Sequence, residues 1–217
     1  MSVFDKIVSV EFPPEQYIPR ETKKNQIYLH HTVSPSNSVK GDIATWIRSK
    51  SRIATCIIID DDGTIFQMFS SKFWAYHLGI KASVFKKHNL SYNLLDDNSI
   101  GIEIDSAGGL TKKGGEWYDT YNHKISNDKV IEYPDGFRGY NAFQRYTDAQ
   151  IESVRELLLL WNKRYGIPLD YNEDMFDVSE KALSGQPGIW SHTSVRTDKS
   201  DIHPQPELIE MLKNLTK

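Results

Sequence analysis

Three histidines close short apolar runs in this chain. Two end Ile27-Tyr28-Leu29-His30-His31, and the third ends Gly188-Ile189-Trp190-Ser191-His192. Lys199-Ser200-Asp201 follows soon after the third. An apolar run anchors a strand in a core, and a histidine at its mouth projects from the sheet edge. Two such strands with a carboxylate nearby supply three ligands and leave a fourth position for water, which is the donor set of an open zinc site. Consecutive strand residues face opposite ways, so only one of His30 and His31 can look into a given site. No single spacing here is diagnostic, since there is no HExxH and no cysteine pair. Taken one at a time, each histidine also reads as a core or surface residue, Asp201 as a surface carboxylate and Lys199 as a solvated lysine.

The elements that must position these groups can be traced along the chain. Residues 1–24 are polar, contain Pro13-Pro14 and Pro19, and read as an arm with at most one edge strand at Ile7-Val8-Ser9-Val10. The first firm strand is residues 27–30. Ser34-Pro35-Ser36-Asn37 reads as a turn and cap before a helix near residues 41–50. Cys56-Ile57-Ile58-Ile59 and residues 64–68 flank Asp60-Asp61-Asp62-Gly63, a hairpin signal with glycine supplying the positive φ of a tight turn. Ile100-Gly101-Ile102-Glu103-Ile104 is a strand whose alternation puts Glu103 on the face opposite the isoleucines. Residues 106–141 are rich in Gly, Tyr and Lys and read as a functional insertion or a mobile loop, with a small hairpin expected around Ser126-Asn127-Asp128-Lys129. Thr147 and Gln150 form a capping-box pattern before a stripe of Ile151, Val154, Leu158, Trp161 and Tyr165, and Gly166 and Pro168 stop that helix. A last helix spans about residues 207–215. Strands alternating with capped helices, plus one hairpin, imply a single-domain α/β fold: a central mixed β-sheet flanked by α-helices.

Composition bounds the function. A chain of 217 residues with 39% apolar and 25% charged residues suits one soluble globular domain with a sizeable core. A net charge of −3 argues against a nucleic-acid partner, which calls for a basic face. Cys56 is the only cysteine, so no intrachain disulfide forms and an oxidising compartment is not required. Met1-Ser2-Val3-Phe4-Asp5-Lys6 lacks the pattern of a secretory signal, and no apolar run approaches the ~20 residues of a membrane helix. The expectation is a protein that does not engage a membrane and is cytoplasmic on synthesis. Oligomeric state leaves no trace in the sequence.

Several blocks together resemble the zinc-dependent N-acetylmuramoyl-L-alanine amidases of the peptidoglycan-recognition-protein type, a group that includes phage endolysins and cytosolic wall-recycling amidases. Residues 27–33 are similar to that family's opening strand, and Ile58-Ile59-Asp60-Asp61-Asp62-Gly63-Thr64-Ile65 to its central hairpin. Trp74-Ala75-Tyr76-His77-Leu78-Gly79 resembles its aromatic-x-His-x-Gly segment, and residues 98–104 its strand with a catalytic glutamate. Residues 192–201 resemble its closing loop, where zinc ligand, lysine and last ligand come in that order. The blocks stand in family order across about residues 25–212, which makes residues 25–217 the amidase domain, of type 2 amidase fold. The resemblance implies one Zn²⁺ per chain on His30, His192 and Asp201, with His31 turned away to pack or hydrogen-bond.

It also implies a reaction. Glu103 would act as general base and then acid, and Lys199 would stabilise the oxyanion, in hydrolysis of the amide between N-acetylmuramic acid and L-Ala. The partner implied is peptidoglycan or a muropeptide. His77 would touch substrate or shape the wall, or else be a structural histidine. Arg138 would meet a stem-peptide carboxylate. Trp117, Tyr118 and Tyr121 would stack on sugars or form a private core of the insertion. Departures are visible. Thr55 stands where part of the family has a tyrosine, which leaves the reaction to Glu103. Cys56 replaces a common histidine and reads as a buried small hydrophobe. His203, two residues after Asp201, could compete as a ligand. The role implied first is a phage-type lytic enzyme reaching the wall after membrane permeabilisation. A recycling amidase for anhydromuropeptides, a non-catalytic muropeptide-binding module and a zinc hydrolase of another amide are the alternatives.

Overall fold

The computed structural model describes residues 6–49 and 51–217. Among the described residues eleven strands run in chain order: β1 (Ile7–Ser9), β2 (Gln26–His31), β3 (Ile57–Ile59), β4 (Ile65–Gln67), β5 (Ser99–Ile104), β6 (Thr111–Lys113), β7 (Glu116–Tyr118), β8 (Lys124–Ile125), β9 (Val130–Phe137), β10 (Tyr140–Gln144) and β11 (Gly188–Ser191). The helices are α1 (Val39–Ser49), α2 (Ala82–Lys87), α3 (Leu94–Asp97), α4 (Asp148–Tyr165), α5 (Glu180–Leu183) and α6 (Pro206–Lys213). Six strands form the central sheet in the order β1-β4-β3-β5-β2-β11. Only the β3–β4 hairpin is antiparallel; the other four pairings are parallel. The sheet is therefore mixed, as the sequence pattern implies, and the polar arm contributes its edge strand. Residues 1–5 of that arm lie outside the described residues, as does Lys50 of the helix expected at 41–50. Among the described residues no helix is long and apolar enough to cross a membrane.

Register decides what the sheet offers. In β2 and β5, Leu29 pairs with Ile102 and His30 with Glu103; in β11, Ser191 pairs with Leu29. Partners in a parallel ladder share a face, so Tyr28, His30, Gly101 and Glu103 look one way and Ile27, Leu29, Ile100 and Ile102 the other. Both faces are buried over most of these strands, as parallel sheets require. The helix α4 buries Ile151, Val154, Leu157, Leu158 and Trp161 in the main core. It starts with a complete Thr147–Gln150 capping box and stops at Gly166, whose φ of +70° is the left-handed cap.

Residues 106–141 are ordered. The strands β6, β7 and β8 make a three-stranded antiparallel sheet, and β9 and β10 a two-stranded one. Trp117 is buried with Ala107, Leu110, Ile125 and Ala142 in a second small core, while Tyr121 is exposed. The hairpin expected around 126–129 is instead a 3₁₀ turn, Asn127–Lys129. It cannot pair its flanks, because β8 returns to β7 and β9 goes to β10.

Candidate metal centre

Three parallel strands deliver their carboxyl ends to one edge of the sheet, where open α/β sheets bind ligands. There His30 stands one residue before the end of β2, Glu103 stands beside it on β5, and His192 follows β11. The loop after His192 brings Asp201 back; the Thr193 N–H donates to the Asp201 carbonyl at 3.0 Å. His30 Nδ1 lies 3.0 Å from His192 Nδ1 and 3.3 Å from Asp201 Oδ2, and His192 Nδ1 lies 2.9 Å from Asp201 Oδ2. All three residues are buried. A tetrahedral zinc with ligands at 2.0–2.1 Å separates its ligand atoms by about 3.3 Å, close to the edges of this triangle.

Hydrogen bonding leaves the triangle able to hold a cation. His192 Nε2 is 2.9 Å from the Leu78 carbonyl, which only accepts, so Nε2 carries the ring proton. His192 Nδ1 is then a bare lone pair facing a carboxylate oxygen and a second imidazole. Burial would raise the Asp201 carboxyl, but the neighbouring His192 and His30 outweigh it and hold it well below the usual carboxylate range. Burial, with His192 beside it, lowers His30 to about 4, so the ring is neutral at neutral pH, as a ligand must be. With both rings neutral, three buried acceptors face one point, a donor set that suits a borderline-soft divalent ion such as zinc.

The triad opens into a cavity of about 380 Å³ that Glu103, Lys199, His77 and Arg196 also line. Glu103 Oε2 is shielded from solvent and has no hydrogen-bond partner among the described residues. Burial first, and Asp201 second, push its carboxyl well above the ordinary range. Lys199 is half-buried and forms no ion pair among the described residues. Arg196 lies on the rim, donating to the Gly79 carbonyl at 2.9 Å and to both Asp198 oxygens. Gly79 has a φ of +58°, and a Cβ there would stand 2.6 Å from the Arg196 guanidinium.

Other residues singled out in the sequence fall elsewhere. His31 turns to the opposite face, where Nδ1 meets the Tyr146 hydroxyl at 2.7 Å. Arg138 does not line the cavity. Its guanidinium pairs with Asp177 at 2.8 Å and reaches the Thr197 carbonyl. Cys56 is buried, with Sγ near the Gly101 carbonyl, and the Thr55 hydroxyl donates to the Ile57 carbonyl at 2.7 Å. His203 is stacked between Tyr146 and Phe143, with ring centroids 4.3 and 4.7 Å away. Its Nε2–H donates to the Gln144 carbonyl, and its Nδ1 accepts from the Tyr133 hydroxyl at 2.8 Å. Both nitrogens are engaged, which leaves none for a metal. His203→Ala is therefore expected to cost about 2–4 kcal/mol in urea denaturation, from a cavity and an orphaned Tyr133, while zinc content stays at one per chain. Loss of zinc from a folded His203→Ala protein would make it a ligand after all.

Sequence reasoning gave Arg196 and Ser99 no role, although both lie in the blocks that carry the resemblance. Arg196 was findable as the one arginine in the loop between His192 and Asp201. Ser99 carries no local signal.

A model of the N-acetylmuramoyl-L-alanine amidase family matches residues 20–206. The chain belongs to that family. Solved structures of similar fold include the N-acetylmuramoyl-L-alanine amidase LysC from Clostridium intestinale URNW, at 15% identity with 97% of each chain covered and a TM-score of 0.51. PlyL is similar at 14% identity over 96% of this chain and 97% of that one, TM-score 0.55. The E. coli amidase AmiD, in complex with the substrate anhydro-N-acetylmuramic acid-L-Ala-D-gamma-Glu-L-Lys, is similar at 18% identity over 89% of this chain and 59% of that one, TM-score 0.53. Among curated protein sequences no relative matches. At these identities the solved structures establish the fold, which is that of the type 2 amidases, and the family match establishes the membership.

Proposed function

We propose that this family member is a zinc-dependent peptidoglycan amidase that cuts the bond between N-acetylmuramic acid and L-Ala, working as a phage-type lytic enzyme. The observation that carries the reading is the convergence of His30, His192 and Asp201 on one point, with Glu103 and Lys199 around the same cavity. His30 and His192 through Nδ1, and Asp201 through Oδ2, would hold the ion. Bound zinc supplies Lewis-acid polarisation of the scissile carbonyl and acidifies water. Glu103 takes the proton of the attacking water on its free carboxylate oxygen. Burial raises its affinity for protons, which lets it hold that proton until the amine leaves; the base role requires that the bound cation keep the carboxyl ionised beforehand. Glu103 then gives the proton to the departing L-Ala nitrogen. Lys199, which has no carboxylate partner among the described residues, is available to the oxyanion of the tetrahedral intermediate. Buried walls keep these charges poorly screened.

Mass spectrometry of digested sacculi tests the reading. Expected products are intact stem peptides with a new L-Ala amino terminus and no new reducing sugar ends. Chelator should stop release and added zinc restore it, because an open three-ligand site exchanges its metal. AmiD, with its anhydromuropeptide substrate, motivates the second reading, a recycling amidase. Activity on soluble anhydromuropeptides with none on sacculi would select it. On the lytic reading the protein is made in the cytoplasm and meets the wall only after the membrane is permeabilised.

A further inference from the structure

The candidate ligand His30 is held from behind by a chain of buried polar groups. Its Nε2 lies 2.9 Å from His77 Nδ1, His77 Nε2 lies 2.9 Å from Ser99 Oγ, and Ser99 Oγ lies 3.4 Å from the backbone carbonyl of Asp96. A carbonyl only accepts, and it sets the direction of every link. The Ser99 hydroxyl donates to Asp96, so Ser99 accepts from His77 Nε2–H. His77 Nδ1 is then an acceptor, and His30 Nε2–H is its donor. His30 is left with a bare Nδ1, the atom that faces His192 and Asp201.

We infer that His77 is a positioning residue: it fixes His30 in the tautomer whose Nδ1 lone pair is presented to the metal, and it does not contact substrate. Although His77 borders the cavity, its side chain is buried and both ring nitrogens are spent. It has no polar atom left for a ligand. The fold also makes room for the ring in this one place. Gly101 of β5 lies under it, where a Cβ would stand 3.0 Å from His77 Nδ1 and 2.6 Å from Thr55 Cγ2. The His77 ring meets His30 edge-on, with centroids 5.1 Å apart, and meets the buried Tyr28 ring at 6.2 Å in the same fashion. Removing the acceptor would free His30 to rotate its proton to Nδ1 and donate to the Asp201 carboxylate 3.3 Å away. That tautomer fills the metal position with a proton.

The inference rests on the reading of His30 as a zinc ligand, and zinc affinity of the wild-type chain checks that reading first. Competition with a chromophoric chelator should give one tight site; no tight site would reject the metal reading itself. Given a tight site, His77→Leu should weaken zinc about 10–100-fold, the usual cost of losing a partner behind a ligating histidine. His77→Asn keeps an acceptor oxygen at the Nδ1 position and should recover most of that loss. At saturating zinc, KM for muropeptide should be unchanged in both variants. Ser99→Ala removes the far end of the chain and should weaken zinc in the same direction, which keeps the test open if His77→Leu fails to fold. Unchanged zinc affinity in His77→Leu, equal losses in the Leu and Asn variants, or a raised KM with unchanged zinc affinity would each overturn the assignment.

Discussion

His192→Ala should lose its zinc and with it all measurable amide hydrolysis. The side chain is one of three that converge on the candidate metal position among the described residues, and it faces both of the others, at 2.9 Å from Asp201 and 3.0 Å from His30. Two ligands cannot hold a catalytic zinc that needs three, so the activity loss should exceed the roughly 10–100-fold cost of a missing outer partner. Alanine also removes the donor to the Leu78 carbonyl, so a buried acceptor goes unmet. His30→Ala should behave the same way. His31→Ala is the internal control: it breaks the Tyr146 contact on the other face and should cost stability while leaving the metal in place. Atomic absorption on purified, folded variants reads the zinc, and stem-peptide release reads the activity. A stoichiometric zinc in folded His192→Ala would remove this residue from the ligand set.

How much of this could be seen in the sequence depends on how local the cause is. The strands β2 and β5 were legible because burial on both faces demands unbroken apolar runs, and the ends of those runs show where side chains emerge. The helix α4 was legible for a similar reason: its cap, stripe and stop are all set within a few residues of one another. The strands of 106–141 were not. Thr111–Lys113 is exposed throughout, so no alternation marks it, and the core that orders it joins Trp117 to Leu110, Ile125 and Ala142 across the fold. A turn-rich composition is the same for a loop and for short strands closed by glycines.

The site divides along the same line. His30 and His192 stand at strand ends, and the alternation of β2 already required that only one of His30 and His31 enter the cavity. Asp201 is offered by the sequence only as a carboxylate near His192, and the family resemblance singles it out, since a carboxylate in a surface-like loop has no local signature. Arg138 shows the limit of reasoning from residue type. A lone arginine near an expected substrate path looks like a carboxylate clamp, but this one is spent on Asp177, which lies 39 positions away. The chain from His30 through His77 to Ser99 joins segments 47 and 22 residues apart. Only the packing of β2 against β5, with Gly101 leaving space, brings them into contact.

Glu103→Gln should keep the zinc and the fold and lose about 10²–10⁴-fold in kcat, the range for a general acid–base group. The exchange is nearly isosteric, so the packing between β2 and β5 is retained. What changes is the chemistry of one atom. Glu103 Oε2 is shielded from water and accepts no hydrogen bond among the described residues. A fold that leaves a buried carboxylate oxygen unmet forgoes stability there, and on the proposed mechanism the attacking water would be the missing donor. Glutamine can still lie against that water but cannot take its proton. Lys199→Ala should also lose activity with zinc retained, by the roughly 10²–10³-fold that removal of one oxyanion contact costs, because it stabilises charge and transfers no proton. The two variants separate through their acid limbs. A general base gives the pH–rate profile a limb that vanishes in Glu103→Gln, whereas Lys199→Ala should lower the whole profile and leave that limb in place. Near wild-type turnover by Glu103→Gln would rule out the mechanism. The base would then have to come from elsewhere in the cavity, and neither His77 nor His203, with both ring nitrogens already engaged, has the free atom to serve.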